Sequence, residues 1–177
     1  AGHFHVADLR LIVDQWREAN GAIVGLWKDL ERAFLTGGTV GDHLVVEAPE
    51  EDVRILRLPS GRGITYREVQ FKWITDQFDR RRRRASYLDP VQGTRTATYG
   101  GKLVENATQA VARDVLAEAL VRMHRQGLPV VAHVHDEVIV ESTDMDAVHA
   151  AVVQPPQWAE GLPIGGDGFI TERYRKG

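Results

Sequence analysis

His133-Val134-His135-Asp136-Glu137 places two histidines and two adjacent carboxylates between apolar runs at Val130–Val134 and Val138–Glu141. Carboxylates set into apolar sequence are costly unless a turn exposes them or they bind something. A tight hairpin over these residues pushes Asp136 to the end of the strands, where its oxygens can meet a hard cation such as Mg²⁺. A lone His-Asp-Glu triplet is common, and a plain exposed turn also explains it. His133 and His135 alternate onto one face, but no third ligand stands at a spacing typical of a histidine-based metal site.

A second set of polar groups precedes the first. Lys102, Asn106, Gln109 and Arg113 recur at intervals of four, three and four, which lines them along one face of a helix, with Glu105 at its border. Amides can donate and accept at base edges, while lysine and arginine meet phosphates. A merely wet helix face has the same pattern. Asp114, Glu118 and Arg122 form another polar face, better suited to solvent, so one of the two has something other than water to meet. Arg80–Arg84 is an unbroken run of five arginines, either a solvated charge run or a phosphate-binding stripe.

The elements that position these residues follow from periodicity. Leu9, Ile12, Val13, Trp16, Ile23, Trp27, Leu30 and Phe34 keep the helical period through residues 6–35, interrupted at Asn20-Gly21 and stopped by Gly37-Gly38. Short runs rich in branched residues at 43–48 and 53–58 read as strands. Pro59-Ser60-Gly61 reads as a turn, and the alternation from Arg62 to Glu68 as the returning strand, extending towards Trp73. Residues 76–98 are charged and poorly patterned and read as an exposed connection. Leu103, Ala107, Ala110, Val111, Leu116, Leu120 and Met123 supply the apolar side of a long helix from Lys102 to Gln126, ended by Gly127 and Pro129. The two strands around the triplet follow, then a short helix from Asp144 to about Val153, stopped by Pro155-Pro156. The tail is loop-like, with a last strand expected over 168–174. No repeat is present, and the order of elements points to an α+β fold.

Composition bounds the rest. The 177 residues are 43% hydrophobic, enough for a globular core, and the formal charge of −3 excludes a wholesale electrostatic DNA sponge without excluding a local basic stripe. The absence of cysteine excludes disulfides and thiolate zinc sites. No apolar run approaches the roughly 20 residues needed to span a bilayer, and no signal peptide opens the chain. The expectation is a soluble protein with no membrane partner, in the cytoplasm.

Several motifs occur together in a consistent order. Thr98-Tyr99-Gly100-Gly101-Lys102-Leu103-Val104-Glu105-Asn106, Gln109 and Ala112-Arg113-Asp114 resemble the Q-helix block of phage-type family A DNA polymerases. Val134-His135-Asp136-Glu137 resembles the family's motif C, at the usual distance downstream. Leu58-Pro59-Ser60-Gly61-Arg62 and Tyr66 resemble the hairpin beyond the fingers. Trp16-Arg17, Asn20 and Trp27 resemble the helices after the nucleotide-binding helix. Trp158, Gly161-Leu162-Pro163 and Arg173-Tyr174-Arg175-Lys176 resemble the family's ending.

The resemblance implies a partial polymerase palm, with a motif C hairpin packed on a long helix, and N-terminal helices from the fingers. It divides the chain into a helical fingers-like segment at 1–38, a β-hairpin with exposed connection at 39–98, and a palm-like segment at 99–177. It implies that Asp136 is a ligand of the catalytic Mg²⁺ ions, that Glu137 is a supporting carboxylate at the same metals, and that His135 lies near the primer terminus. Gln109 is implied to reach the minor groove of primer–template DNA, with Asn106, Arg113 and Lys102 on the same face.

The motif A aspartate and the fingers helix that binds the incoming deoxynucleoside triphosphate have no counterpart in the sequence. Two-metal phosphoryl transfer needs carboxylates from both palm motifs to hold ions about 3.5–4 Å apart. The isolated chain is therefore expected to be inactive and to work with an upstream polymerase fragment, whether as a split-gene subunit or as a truncated piece. The setting implied is a bacterial cell or phage-infected host. Two alternatives remain open: a non-catalytic nucleic-acid-binding or interaction module derived from the polymerase fold, and a metal nuclease using His133, His135, Asp136 and Glu137.

Overall fold

A computed structural model describes residues 6–75, 79 and 81–174. The chain divides into two compact units, residues 1–107 and 108–177.

In the first unit, helices α1 (Val6–Ala19) and α2 (Gly21–Thr36) meet at Asn20, whose amide donates to the Trp16 carbonyl at 2.8 Å. The break expected at Asn20-Gly21 thus makes two helices. Trp16 and Trp27 stack across it with ring centroids 5.8 Å apart. α2 ends where Gly37 enters the left-handed region at φ 76°, its N–H bonded to the Ala33 carbonyl.

Six strands follow: β1 (Gly38–Val40), β2 (Leu44–Glu50), β3 (Val53–Arg57), β4 (Gly63–Thr75), β5 (Arg81–Leu88) and β6 (Arg95–Thr98). They form one antiparallel sheet whose spatial order equals their sequence order. The Leu58–Arg62 turn closes β3 on β4 with Gly61 at φ 83°, as the Pro-Ser-Gly chemistry requires. Two strands fall where an exposed connection was expected, within 76–98. β5 and β6 escaped sequence reading because their stability comes from pairing with β4 and with each other, and not from an apolar alternation of their own. At three residues, β1 is too short to leave a pattern.

The core of this unit lies between α2 and the sheet. Leu30, Phe34, Val46 and Leu56 are almost completely buried, each contributing about 1.5–3 kcal/mol of apolar burial. Phe34 meets Tyr66 edge-on at 5.1 Å, and Tyr66 meets Tyr87 edge-on at 5.0 Å. Arg54 is only 6% exposed. Its guanidinium is satisfied by the carbonyls of Phe34, Val53, Glu50 and Glu51 at 2.8–3.2 Å, which ties α2 to the β2–β3 turn. α1 differs: Leu9, Ile12, Val13 and Trp16 are all exposed, although their spacing keeps the period of an apolar helix face.

α3 (Gly100–Arg125) is the long helix expected from the sequence, and its first turn needs its glycines. A Cβ on Gly100 would stand 1.9 Å from the Trp27 carbonyl oxygen, so α2 and the start of α3 approach too closely for any side chain. In the second unit α3 ends in a Schellman motif. Gly127 sits at φ 73°, its N–H bonded to the His124 carbonyl, and the Leu128 N–H is bonded to the Met123 carbonyl. β7 (Val130–Val134) and β8 (Glu137–Val140) pair antiparallel, and α4 (Met145–Val153) is capped by Asp144, whose carboxylate accepts from the Ala147 N–H at 2.9 Å. Arg122 of α3 donates to the Ala151 carbonyl of α4. The last strand expected over 168–174 does not form; those residues have no strand partner among the described residues. The architecture is α+β.

Candidate functional site

The β7–β8 hairpin turns in two residues, His135 and Asp136, with Val134 opposite Glu137. A two-residue loop needs a positive φ to match the twist of its strands, and His135 supplies it at 54°. Val131 of β7 is the extra residue of a bulge between Val130 and Ala132, so His133 faces Val138. Asp136 is therefore at the tip and exposed, as are His133 and His135, while Glu137 is half-buried at the first paired position. Val131 and Val134 remain exposed, so β7 is not buried as its apolar sequence suggests.

Glu137 already has a partner: the Tyr174 hydroxyl donates to its Oε2 at 3.3 Å. Desolvation, then the charge of Glu137 and this bond, push the Tyr174 phenol above its ordinary range. Asp136 and Glu137 are hard oxygen donors, of the kind Mg²⁺ takes. Among the described residues, no group of three His, Asp or Glu side chains is placed to hold a metal ion. Two carboxylates do not by themselves make a complete coordination shell.

The four helix residues sit on α3 as their spacing requires, in different circumstances. Gln109 and Arg113 are exposed, and the Arg113 guanidinium stands 3.9 Å from the buried carboxylate of Asp114. Asn106 is half-buried and donates to the Tyr66 hydroxyl at 3.0 Å. Lys102 pairs with Glu105 at 2.9 Å, and that hydrogen bond holds its ammonium pKa above the ordinary lysine value. Gln109 and Arg113 are thus the members of the stripe best placed to reach an outside ligand. Arg81–Arg84 form the exposed start of β5, while Arg80 lies outside the described residues. The Arg54 anchor left no signal in the sequence, because one of its carbonyl partners, Phe34, lies 20 residues away in α2.

A polar hairpin tip and a helix face of amides and cations are groups that can meet a nucleic acid. A DNA polymerase of Bacillus phage SP02 is 35% identical over 181 aligned residues, which cover 96% of this chain. The chain spans 28% of that polymerase's length and is homologous to a segment of a phage DNA polymerase. No protein-family model matches the chain, and no solved structure does. No helix among the described residues is long and apolar enough to cross a membrane.

Proposed function

We propose that this chain is the motif C-bearing palm and fingers portion of a family A DNA polymerase and extends a primer on a template in concert with the rest of that enzyme. The observation that carries the reading is the coincidence of an exposed two-residue tip at Asp136 with similarity over 96% of the chain to a segment of a phage DNA polymerase. Bound Mg²⁺ ions supply charge neutralisation for the primer hydroxyl and the triphosphate. Asp136 holds one metal position, with Glu137 supporting it and His135 beside the primer end. Gln109 positions the duplex from its minor groove, and Arg113, Asn106 and Lys102 border that contact. The remainder of the polymerase supplies motif A and the nucleotide-binding helix, and its surface covers the exposed apolar face of α1. The primer hydroxyl attacks the α-phosphate, pyrophosphate leaves, and placement of the reactants provides much of the rate. The setting is the cytoplasm of a bacterium or phage-infected host.

The test is primer extension by the chain with the upstream polymerase portion supplied separately, in Mg²⁺. Extension should need both parts and vanish with Asp136→Ala. Robust extension by the 177-residue chain alone, or by the pair carrying Asp136→Ala, would overturn the reading.

A further inference from the structure

We propose that the free end of the β4–β5 ribbon, residues 71–75 and 81–84, is a duplex-DNA docking element that grips phosphates from both of its faces. β3 pairs with β4 only as far as Tyr66, and β6 pairs with β5 only from Ala85 onward. Beyond those points β4 and β5 pair with each other alone, from Lys72↔Arg84 to Thr75↔Arg81. The result is a two-stranded ribbon with both edges unpaired, on a chain whose net charge is −3.

Its faces are not those of an inert extension. On one face Lys72 lies directly opposite Arg84, with Arg82 two residues along. Like charges opposed across a ladder are destabilising. Among the described residues no carboxylate is within ion-pair distance of Lys72 or of Arg81–Arg84. Among the described residues that face carries no anion. On the other face Arg81 lies over Trp73 at 5.1 Å and Arg83 over Phe71 at 4.8 Å, with Arg54 also over Phe71 at 5.1 Å. Cation–π contact holds these guanidiniums against the rings, although Trp73 itself stays 59% exposed.

Held guanidiniums suit backbone contact, and an occupant with phosphates on two sides of a narrow ribbon is a DNA groove. The major groove, about 12 Å wide, admits a two-stranded β-ribbon. The choice of DNA as the polyanion rests on the polymerase reading above; the anion requirement rests on the ribbon itself.

The experiment measures binding of the full chain to a fluorescent duplex and to a single strand of equal length, across a salt series. Each phosphate contact contributes about 0.9 to the slope of log K against log salt. Arg82→Gln with Arg84→Gln should therefore lower the duplex slope by about 2. Arg82→Lys with Arg84→Lys should keep the slope, which separates lost charge from lost fold. The same charge removed from α1 by Arg10→Gln with Arg17→Gln should leave it unchanged. An unchanged slope in the ribbon Gln pair, or an equal fall in the α1 pair, overturns the proposal. So does a loss confined to the single strand, or no salt-dependent duplex binding by the wild-type chain. None of these outcomes bears on Asp136, whose extension assay fails or succeeds separately.

Discussion

At the scale of single residues, Asp136 and Glu137 are neighbours in sequence with different surroundings. Asp136 stands in the turn, whereas Glu137 is half-buried and accepts a bond from Tyr174. In the reconstituted polymerase, Glu137→Ala should therefore retain measurable extension at saturating Mg²⁺ where Asp136→Ala retains none. The reverse order would reassign the ligand. Gln109→Ala should slow extension by about a hundredfold through misplacement of the duplex, with the chain's thermal stability unchanged because the side chain is exposed. The tip was legible in the sequence because polar residues between two apolar runs have little choice but to turn. The fate of Asn106 was not. Spacing placed it on the stripe, but the Tyr66 hydroxyl it bonds lies 40 residues away and belongs to the sheet.

At the scale of elements, the helices were readable from period and punctuation, and the strands only where they alternate. Arg81–Arg84 looks like a solvated run until β4 is seen to supply Trp73 and Phe71 beneath its guanidiniums. The glycines of α2 and α3 make a contrast that sequence leaves invisible. Gly25→Ala meets nothing within 4 Å and should stabilise the protein by about 0.4–1 kcal/mol, as a helical glycine replaced without strain does. Gly100→Ala meets the Trp27 carbonyl and should destabilise it by about 1–3 kcal/mol. Paired denaturant titrations check both signs, and two variants shifting in the same direction would mean α2 and α3 do not approach as described.

At the scale of the whole molecule, buried Tyr66 and half-buried Tyr87 make stability depend on alkaline pH. Desolvation raises the phenols of Tyr66 and Tyr87 above the ordinary 10.0, against the opposing Asn106 bond at Tyr66 and the Lys102 charge near Tyr87. The folded state then holds these protons more tightly than the unfolded state. Stability should be unaffected below the ordinary tyrosine range and fall as pH climbs from about 10 through the raised values. Unfolding midpoints measured from pH 8 to 11 check this, and a flat or rising profile at the alkaline end would contradict it. The strand order of the sheet also bears on how the chain acquires its structure. Each strand bonds the one just before it in sequence, so the sheet can zip up hairpin by hairpin, and such local pairing favours rapid folding. The approach of Gly100 to Trp27, by contrast, joins α3 to α2 across the whole sheet segment, and closing that loop costs entropy before any contact there compensates it.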